Sequence, residues 1–399
     1  MVSKQMQQEI IKGSAIRAMF LEGKEMAERV GAENVYDFSL GNPMTPVPKA
    51  YNQAMIEAIE TEDSLELHGY MDNAGFPGTR QAVAENLNQR FGTDFDGSHI
   101  VMTVGAAGAL NVVFKTILNP GDEVLALAPY FGEYRGYAAN HQGILREVEP
   151  DTSTFQPNLE DLKVKITEKT KALIINNPVN PTGIVYSEET IQNIASILEM
   201  KQKEYGSAIY MVSDEPYREL VYDDSKVPFL TKYYRNTFVT YSFSKSLSIP
   251  GDRIGYIAVS PRMEEAEQTV SGLSVANRIL GFVNAPGLMQ KALIKSLDAR
   301  TDIAYYDRNR RLIYKKLTEL GFNCVKPQGA FYLFIKSPEE DEKKFVEAAK
   351  KYHILLVGGS SFSCPGYVRL AYCVSYEMLE RSLPAFEKLA EEYKEKLHP

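Results

Sequence analysis

The stretch Thr237-Phe-Val-Thr-Tyr241-Ser-Phe-Ser-Lys245-Ser-Leu-Ser-Ile-Pro-Gly-Asp-Arg253-Ile-Gly-Tyr256-Ile-Ala-Val259 decides how the chain is read. Residues 237–241 and 254–259 are apolar, β-branched runs of strand length. The loop between them holds one lysine among four serines, and an arginine follows it by eight residues behind a Pro-Gly turn. A lysine at the end of a buried strand, surrounded by neutral hydroxyls, can be desolvated enough to lose its proton, which suits it to form a Schiff base. The serines and Arg253 offer neutral donors and one fixed charge to a phosphate.

Outward from this stretch, short apolar runs at 100–104, 123–127, 172–175 and 209–212 alternate with helical periodicity at 79–91, 108–118 and 188–205. Asn119-Pro-Gly-Asp122 marks a tight turn into a strand. The alternation predicts an α/β unit, a mostly parallel mixed sheet sandwiched by helices. Beyond it, residues 262–320 read as helix-rich with punctuation at Gly281 and Pro286. A strand at 330–335, a helix at 342–352, a strand pair near Ile354 and Val368 and a helix at 376–394 follow. These form a smaller α+β domain. The first 45 residues hold a helix at 16–30 and an extended segment ending at Gly41-Asn-Pro43, able to pack on either unit. The expected division is 46–295 for the large domain, with 1–45 and 296–399 as the small domain and its N-terminal arm.

At about 150 residues per domain, 399 residues give two to three domains, enough to enclose a deep cleft. The 44 Lys and Arg against 52 Asp and Glu leave a net charge of -8, which disfavours nucleic acid as a partner. No apolar run is long enough to cross a bilayer and the first residues lack a signal-peptide core, so no membrane association and a cytoplasmic location are expected. Cys324, Cys364 and Cys373 are odd in number and widely spaced, against a disulfide framework or a zinc site. The histidines 68, 99, 141, 353 and 398 have no i, i+4 pairing, and no metal site is expected.

Three further segments follow predicted strands, where sheet ligands sit. Thr103-Val-Gly105-Ala-Ala-Gly108 opens a helix, whose free N–H groups and positive end hold anions. Ser213-Asp214-Glu215-Pro-Tyr217 ends one strand, and Asn177-Pro-Val-Asn180-Pro-Thr-Gly183 closes another with a rigid turn. Asn180-Pro181 and Ala128-Pro129 are candidates for cis peptide bonds. Arg369, in Tyr367-Val-Arg-Leu-Ala-Tyr372, stands among apolar neighbours and needs an anion, either a ligand carboxylate or a core salt bridge.

Taken together, from about Gly41 to Arg369, these segments resemble the class I and II pyridoxal-phosphate-dependent aminotransferases, the aspartate aminotransferase-like branch of fold type I. The resemblance implies a ping-pong transfer of an α-amino group from an L-amino acid, aspartate or aromatic, to a 2-oxo acid such as 2-oxoglutarate. Lys245 would hold pyridoxal 5'-phosphate as an internal aldimine and shuttle the proton. Asp214 would pair with the pyridinium, and Tyr217 and Asn180 would bond the ring oxygen. Phe131, in a chain with no tryptophan, would lie against the ring. Gly105, Ala106, Ala107, Ser242, Ser244 and Arg253 would hold the phosphate, joined by Tyr70 of a neighbouring chain, so that the active sites of a homodimer are shared. Gly41, Asn180 and Arg369 would bind the substrate carboxylate.

Some bacterial aspartate-using relatives carry a lysine where this chain has Ala107, which weakens aspartate as donor; Arg278 is a candidate replacement charge. Two other outcomes remain for the same motifs: a carbon-sulfur β-lyase or decarboxylase, and a non-catalytic cofactor-binding regulator. A Rossmann dehydrogenase is disfavoured, because the loop at Gly105 to Gly108 lacks the closely spaced second glycine.

Overall fold

A computed structural model describes residues 1–398; Pro399, the last residue of the expected small domain, lies outside the described residues. The strands in chain order are β1 (Tyr36–Asp37), β2 (Ile100–Thr103), β3 (Glu123–Leu127), β4 (Ile144–Val148), β5 (Thr170–Asn176), β6 (Tyr210–Glu215), β7 (Thr237–Ser242), β8 (Gly255–Val259), β9 (Tyr332–Lys336), β10 (Ile354–Leu355), β11 (Val357–Gly358) and β12 (Tyr367–Ala371).

Seven strands form one sheet in the order β2-β8-β7-β6-β5-β3-β4. Strands β7, β6, β5, β3 and β4 pair in parallel, while β8 is antiparallel to both of its neighbours. The strand sequences alternate between two apolar faces. Val101, Val124, Ala126, Ile174, Val212, Phe238 and Ile257 belong to one core, together with the helix Gly105–Ile117. Leu125, Leu173, Ile175 and Met211 face a second core on the other side. Each of the Val, Leu, Ile, Phe and Met side chains among them contributes about 1.5–3 kcal/mol relative to exposure. Helices cover both faces, so the central strands read as unbroken apolar runs.

Reversal of β8 sets the position of the site. Gly255, its first residue, lies opposite Thr103 at the end of β2 and Ser242 at the end of β7. The Lys245 loop therefore leaves and re-enters the sheet at one rim. At the same rim β5 and β6 end, with Asn176 in register with Asp214.

Six predicted strand runs coincide with β2, β3, β5, β6, β7 and β8, their ends shifting by at most three residues. The strand β4 is additional. It is an edge strand whose Ile-Leu-Arg-Glu-Val sequence alternates exposed and half-buried positions, with no continuous apolar run to announce it.

A smaller antiparallel sheet has the order β11-β12-β9. Its core gathers Phe38, Tyr306, Ile313, Phe331, Leu333, Phe345, Val368 and Phe386 with the helices Ile303–Glu319 and Tyr376–Glu392. The expected pairing of strands near Ile354 and Val368 is corrected. Val368 pairs with Gly358 and Ile335, whereas Ile354 pairs in parallel with Tyr36. That pairing takes the first residues onto the C-terminal part of the fold, and the helix Ala15–Val30 packs beside β11.

The Ala128-Pro129 bond is cis as expected, but the other cis bond is Asn177-Pro178 rather than Asn180-Pro181. The amide of Asn180 is instead tied to Asn176 Oδ1, and Gly183 N–H closes a turn on Val179 O at 2.8 Å. This is a helical i to i+4 closure, compatible with a trans bond at Pro181.

Candidate active site

The sheet rim opens into a cleft of about 550 Å³. One wall is the start of the helix Gly105–Ile117, whose first amides have no helical partner. Gly105 has φ +81°, and a Cβ there would come within 3.1 Å of the Arg253 guanidinium. The missing side chain lets Arg253 lie against the helix start, with Nη1 donating to Pro250 O at 2.9 Å and Nη2 to Val104 O at 3.2 Å. Ser242 caps the short helix Phe243–Ser246 and donates to Ser244 Oγ at 2.8 Å. Two hydroxyls, a guanidinium and a helix N-terminus thus meet in one corner, a donor set made for a phosphate.

Lys245 lies beside that corner. Its Nζ donates to Gly41 O at 2.7 Å. Burial, with Arg253 and Arg369 adding to it, lowers the amine to about 8. A neutral amine is a nucleophile and a base, whereas an ammonium is neither.

Asp214, at the end of β6, is a buried carboxylate of the cleft. Burial raises it to about 7, against the opposing hydrogen bond from Tyr134. The Tyr134 hydroxyl donates to Oδ2 at 2.5 Å, and Oδ1 is buried with no partner. A buried acceptor left open in this way calls for a donor from a ligand. Farther along, the hydroxyls of Tyr217 and Tyr332 share a 2.7 Å hydrogen bond.

Arg369, on β12, is 1% exposed. Its Nη1 donates to Asn180 Oδ1 at 3.0 Å and Nη2 to Ser39 O at 2.6 Å, while Nε has no partner. No carboxylate of the chain pairs with it among the described residues. The guanidinium lies over the Tyr332 ring, 4.5 Å from its centroid. Of the two anions that the sequence left open for it, the core salt bridge is absent from the described residues.

The profile of the family "Aminotransferase class I and II" matches residues 32–386. The chain is a class I and II aminotransferase. It is 33% identical over 395 residues to the "Probable aspartate/prephenate aminotransferase" of Aquifex aeolicus, covering 96% of this chain and 97% of that one. It is 31% identical over 403 residues to the "Aromatic-amino-acid aminotransferase 2" of Thermococcus litoralis, covering 97% and 98%. A solved structure of an aminotransferase from Eubacterium rectale superposes with TM-score 0.96 at 46% identity, covering 98% and 99% of the two chains.

Aminotransferases of this class depend on pyridoxal phosphate, and the residues present fit that group. A pyridinium N–H would meet the unpartnered Oδ1 of Asp214, a phosphate would meet the helix start and Arg253, and an aldehyde would meet the Lys245 amine, whose proton is loosened by burial.

This aminotransferase brings Gly41, Ala106, Ala107, Phe131, Asn180, Asp214, Tyr217, Ser242, Ser244, Lys245, Arg253 and Arg369 around the one cleft, with Gly105 directly behind Ala106. Tyr70 lies outside it and is 94% exposed. Arg278 is exposed on the helix Ala266–Ile279 and does not line the cleft. Four groups escaped the sequence reading as site residues. Tyr134 and Tyr332 hold Asp214 and Tyr217, and Arg17 and Phe20 reach the cleft from the N-terminal helix. No local signal marks them, because only the tertiary fold brings them to the rim.

Proposed function

We propose that the enzyme moves the α-amino group of an L-amino acid, aspartate or an aromatic one, to a 2-oxo acid such as 2-oxoglutarate. What carries this is that one cleft gathers a buried Lys245 amine whose proton loss is eased to about 8, an open carboxylate oxygen on Asp214 and an open Nε on Arg369.

When bound, pyridoxal phosphate supplies an aldehyde that takes up the amino group and a ring that stores an electron pair. The chain's own residues do the rest. Arg369 and Asn180 grip the substrate α-carboxylate, and the Gly41 backbone lines the same place; this fixes which bond at Cα faces the ring. Lys245 Nζ takes the proton from Cα and returns it on the far side of the transfer. Asp214 balances a positive ring nitrogen, and Tyr134 keeps its other oxygen occupied. Tyr217 and Asn180 bond the ring oxygen, Phe131 stacks on the ring, and Gly105, Ala106, Ala107, Ser242, Ser244 and Arg253 hold the phosphate.

Residues 46–295 serve as the cofactor-holding domain, with 1–45 and 296–399 as the smaller one. Tyr70 serves the phosphate of a second copy, which makes the working unit a homodimer. Its high exposure in the single chain supports that reading. The cytoplasm is the compartment that fits three free cysteines and net charge -8.

The test is a panel of amino donors offered with 2-oxoglutarate to the purified holoenzyme, following glutamate formation. Turnover with aspartate or an aromatic donor is expected. Turnover with neither, while other donors react, would overturn the donor assignment.

A further inference from the structure

We propose that Thr45 is a positioning residue for the proton step: through a closed ring of hydroxyl hydrogen bonds it holds the Gly41 carbonyl against the Lys245 amine. The inference deepens the function proposed above and rests on it.

Four hydroxyls from distant parts of the chain meet at a point that does not line the cleft. Thr45 Oγ1 lies 2.7 Å from Ser248 Oγ and 2.9 Å from the Tyr306 hydroxyl, and it also bonds Thr301 Oγ1. Ser248 Oγ and Thr301 Oγ1 close the ring at 2.8 Å. Thr45, Thr301 and Tyr306 are buried. Each hydroxyl carries one proton and can accept twice, so four protons serve four bonds: Tyr306 donates into Thr45, and the other three donate around the triangle. The Tyr306 oxygen in turn accepts from Met44 N–H at 3.3 Å. A closed chain of this kind strengthens each of its members, and Thr45 takes part in three of its four bonds.

The ring joins the segment that carries Gly41 to the loop that carries Lys245. Residues 40–47 belong to no helix or strand. Gly41 lies between two anchors, Ser39 O on Arg369 Nη2 at 2.6 Å and the Thr45 hydroxyl, and Pro43 stiffens the short span between them. On the other side, Ser248 follows Lys245 by three residues at φ 57°, a conformation that non-glycine residues rarely adopt and that persists only where the surroundings fix it. Thr301 adds a second grip, its N–H donating to Ser246 O at 2.8 Å. Between these two held segments, Lys245 Nζ donates to Gly41 O at 2.7 Å. One N–H of the amine is thereby fixed, which sets the direction of the nitrogen lone pair. In the proton step the Cα–H bond breaks, the proton joins that lone pair, and the electron pair left on Cα passes into the cofactor ring.

The test compares wild type with Thr45→Val, Thr45→Ser and Thr301→Val. Thr45→Val nearly keeps the shape and removes three of the four bonds, whereas Thr301→Val removes two and leaves Thr45 joined to Ser248 and Tyr306. In the first readout, cofactor-free protein is mixed with pyridoxal phosphate, and absorbance follows the Lys245 amine adding to the aldehyde carbon while the aldehyde oxygen leaves as water. In the second, the holoenzyme meets the fastest donor of the panel above, with hydrogen or deuterium on Cα and no acceptor. Thr45→Val should slow both about tenfold, with a deuterium effect at least as large as in wild type. Thr45→Ser should recover most of the loss, and Thr301→Val should be slowed about threefold, which carries the comparison if Thr45→Val does not fold. Unchanged rates, a deuterium effect that shrinks, or a loss confined to thermal stability would overturn the inference. If wild type takes up the cofactor but reacts with no donor, amino transfer itself fails, and the uptake rates alone uphold or overturn the role of Thr45.

Discussion

Asp214 and Lys245 are driven toward neutrality by the same burial, one upward to about 7 and the other downward to about 8. Each is therefore a cost to the cofactor-free fold. Folded Asp214 keeps its proton up to about 7, whereas the unfolded chain releases it near 3.8. Stability accordingly falls as pH rises through that window, and the penalty is complete above it. For Lys245 the penalty is complete below about 8 and is relieved as pH rises toward 10.5. Asp214→Asn should make the cofactor-free protein more stable than wild type at pH 8, by at most about 4 kcal/mol, and no more stable at pH 4. The same variant should lose most of its transaminase activity. Thermal denaturation at the two pH values checks this, and a variant less stable than wild type at pH 8 would contradict it.

The helix Gly105–Ile117 joins the sheet to the phosphate corner through a glycine held at φ +81° against Arg253. Gly105→Ala should keep the fold but strain that start by about 1–2 kcal/mol and displace the guanidinium. The cofactor should then bind about tenfold more weakly, measured by its loss on dialysis; unchanged retention would refute the role of this contact. Elements of this kind are legible in the sequence where local chemistry fixes them. The helix Glu188–Tyr205 has the predicted bounds because Ser187 accepts from Thr190 N–H at 3.0 Å and Gly206 ends it at φ 65°. The motifs around Lys245, Asp214, Asn180 and Gly105 are legible for a related reason: each is a short string at a strand end. Edge strand β4 is not, since half-exposed alternation resembles a loop. The place of Arg17 is not either, since nothing in residues 15–30 tells which cleft the helix will meet.

Across the whole molecule, the Lys245 loop, the strand ends and β12 converge on one cleft, while Tyr70 stands on the surface away from it. A homodimer with shared sites predicts a sedimenting species of about twice the 44.8 kDa chain mass. It also predicts that Tyr70→Phe weakens cofactor binding without altering that mass. A monomer with full activity would contradict the shared site. A reversible amino transfer by these groups is tested by one half-reaction, the holoenzyme mixed with an amino donor and no acceptor. One cofactor per chain should convert to its amine form with no ammonia released, and a 2-oxo acid added afterwards should reverse the conversion in full; continued turnover that releases ammonia with no acceptor present would rule amino transfer out.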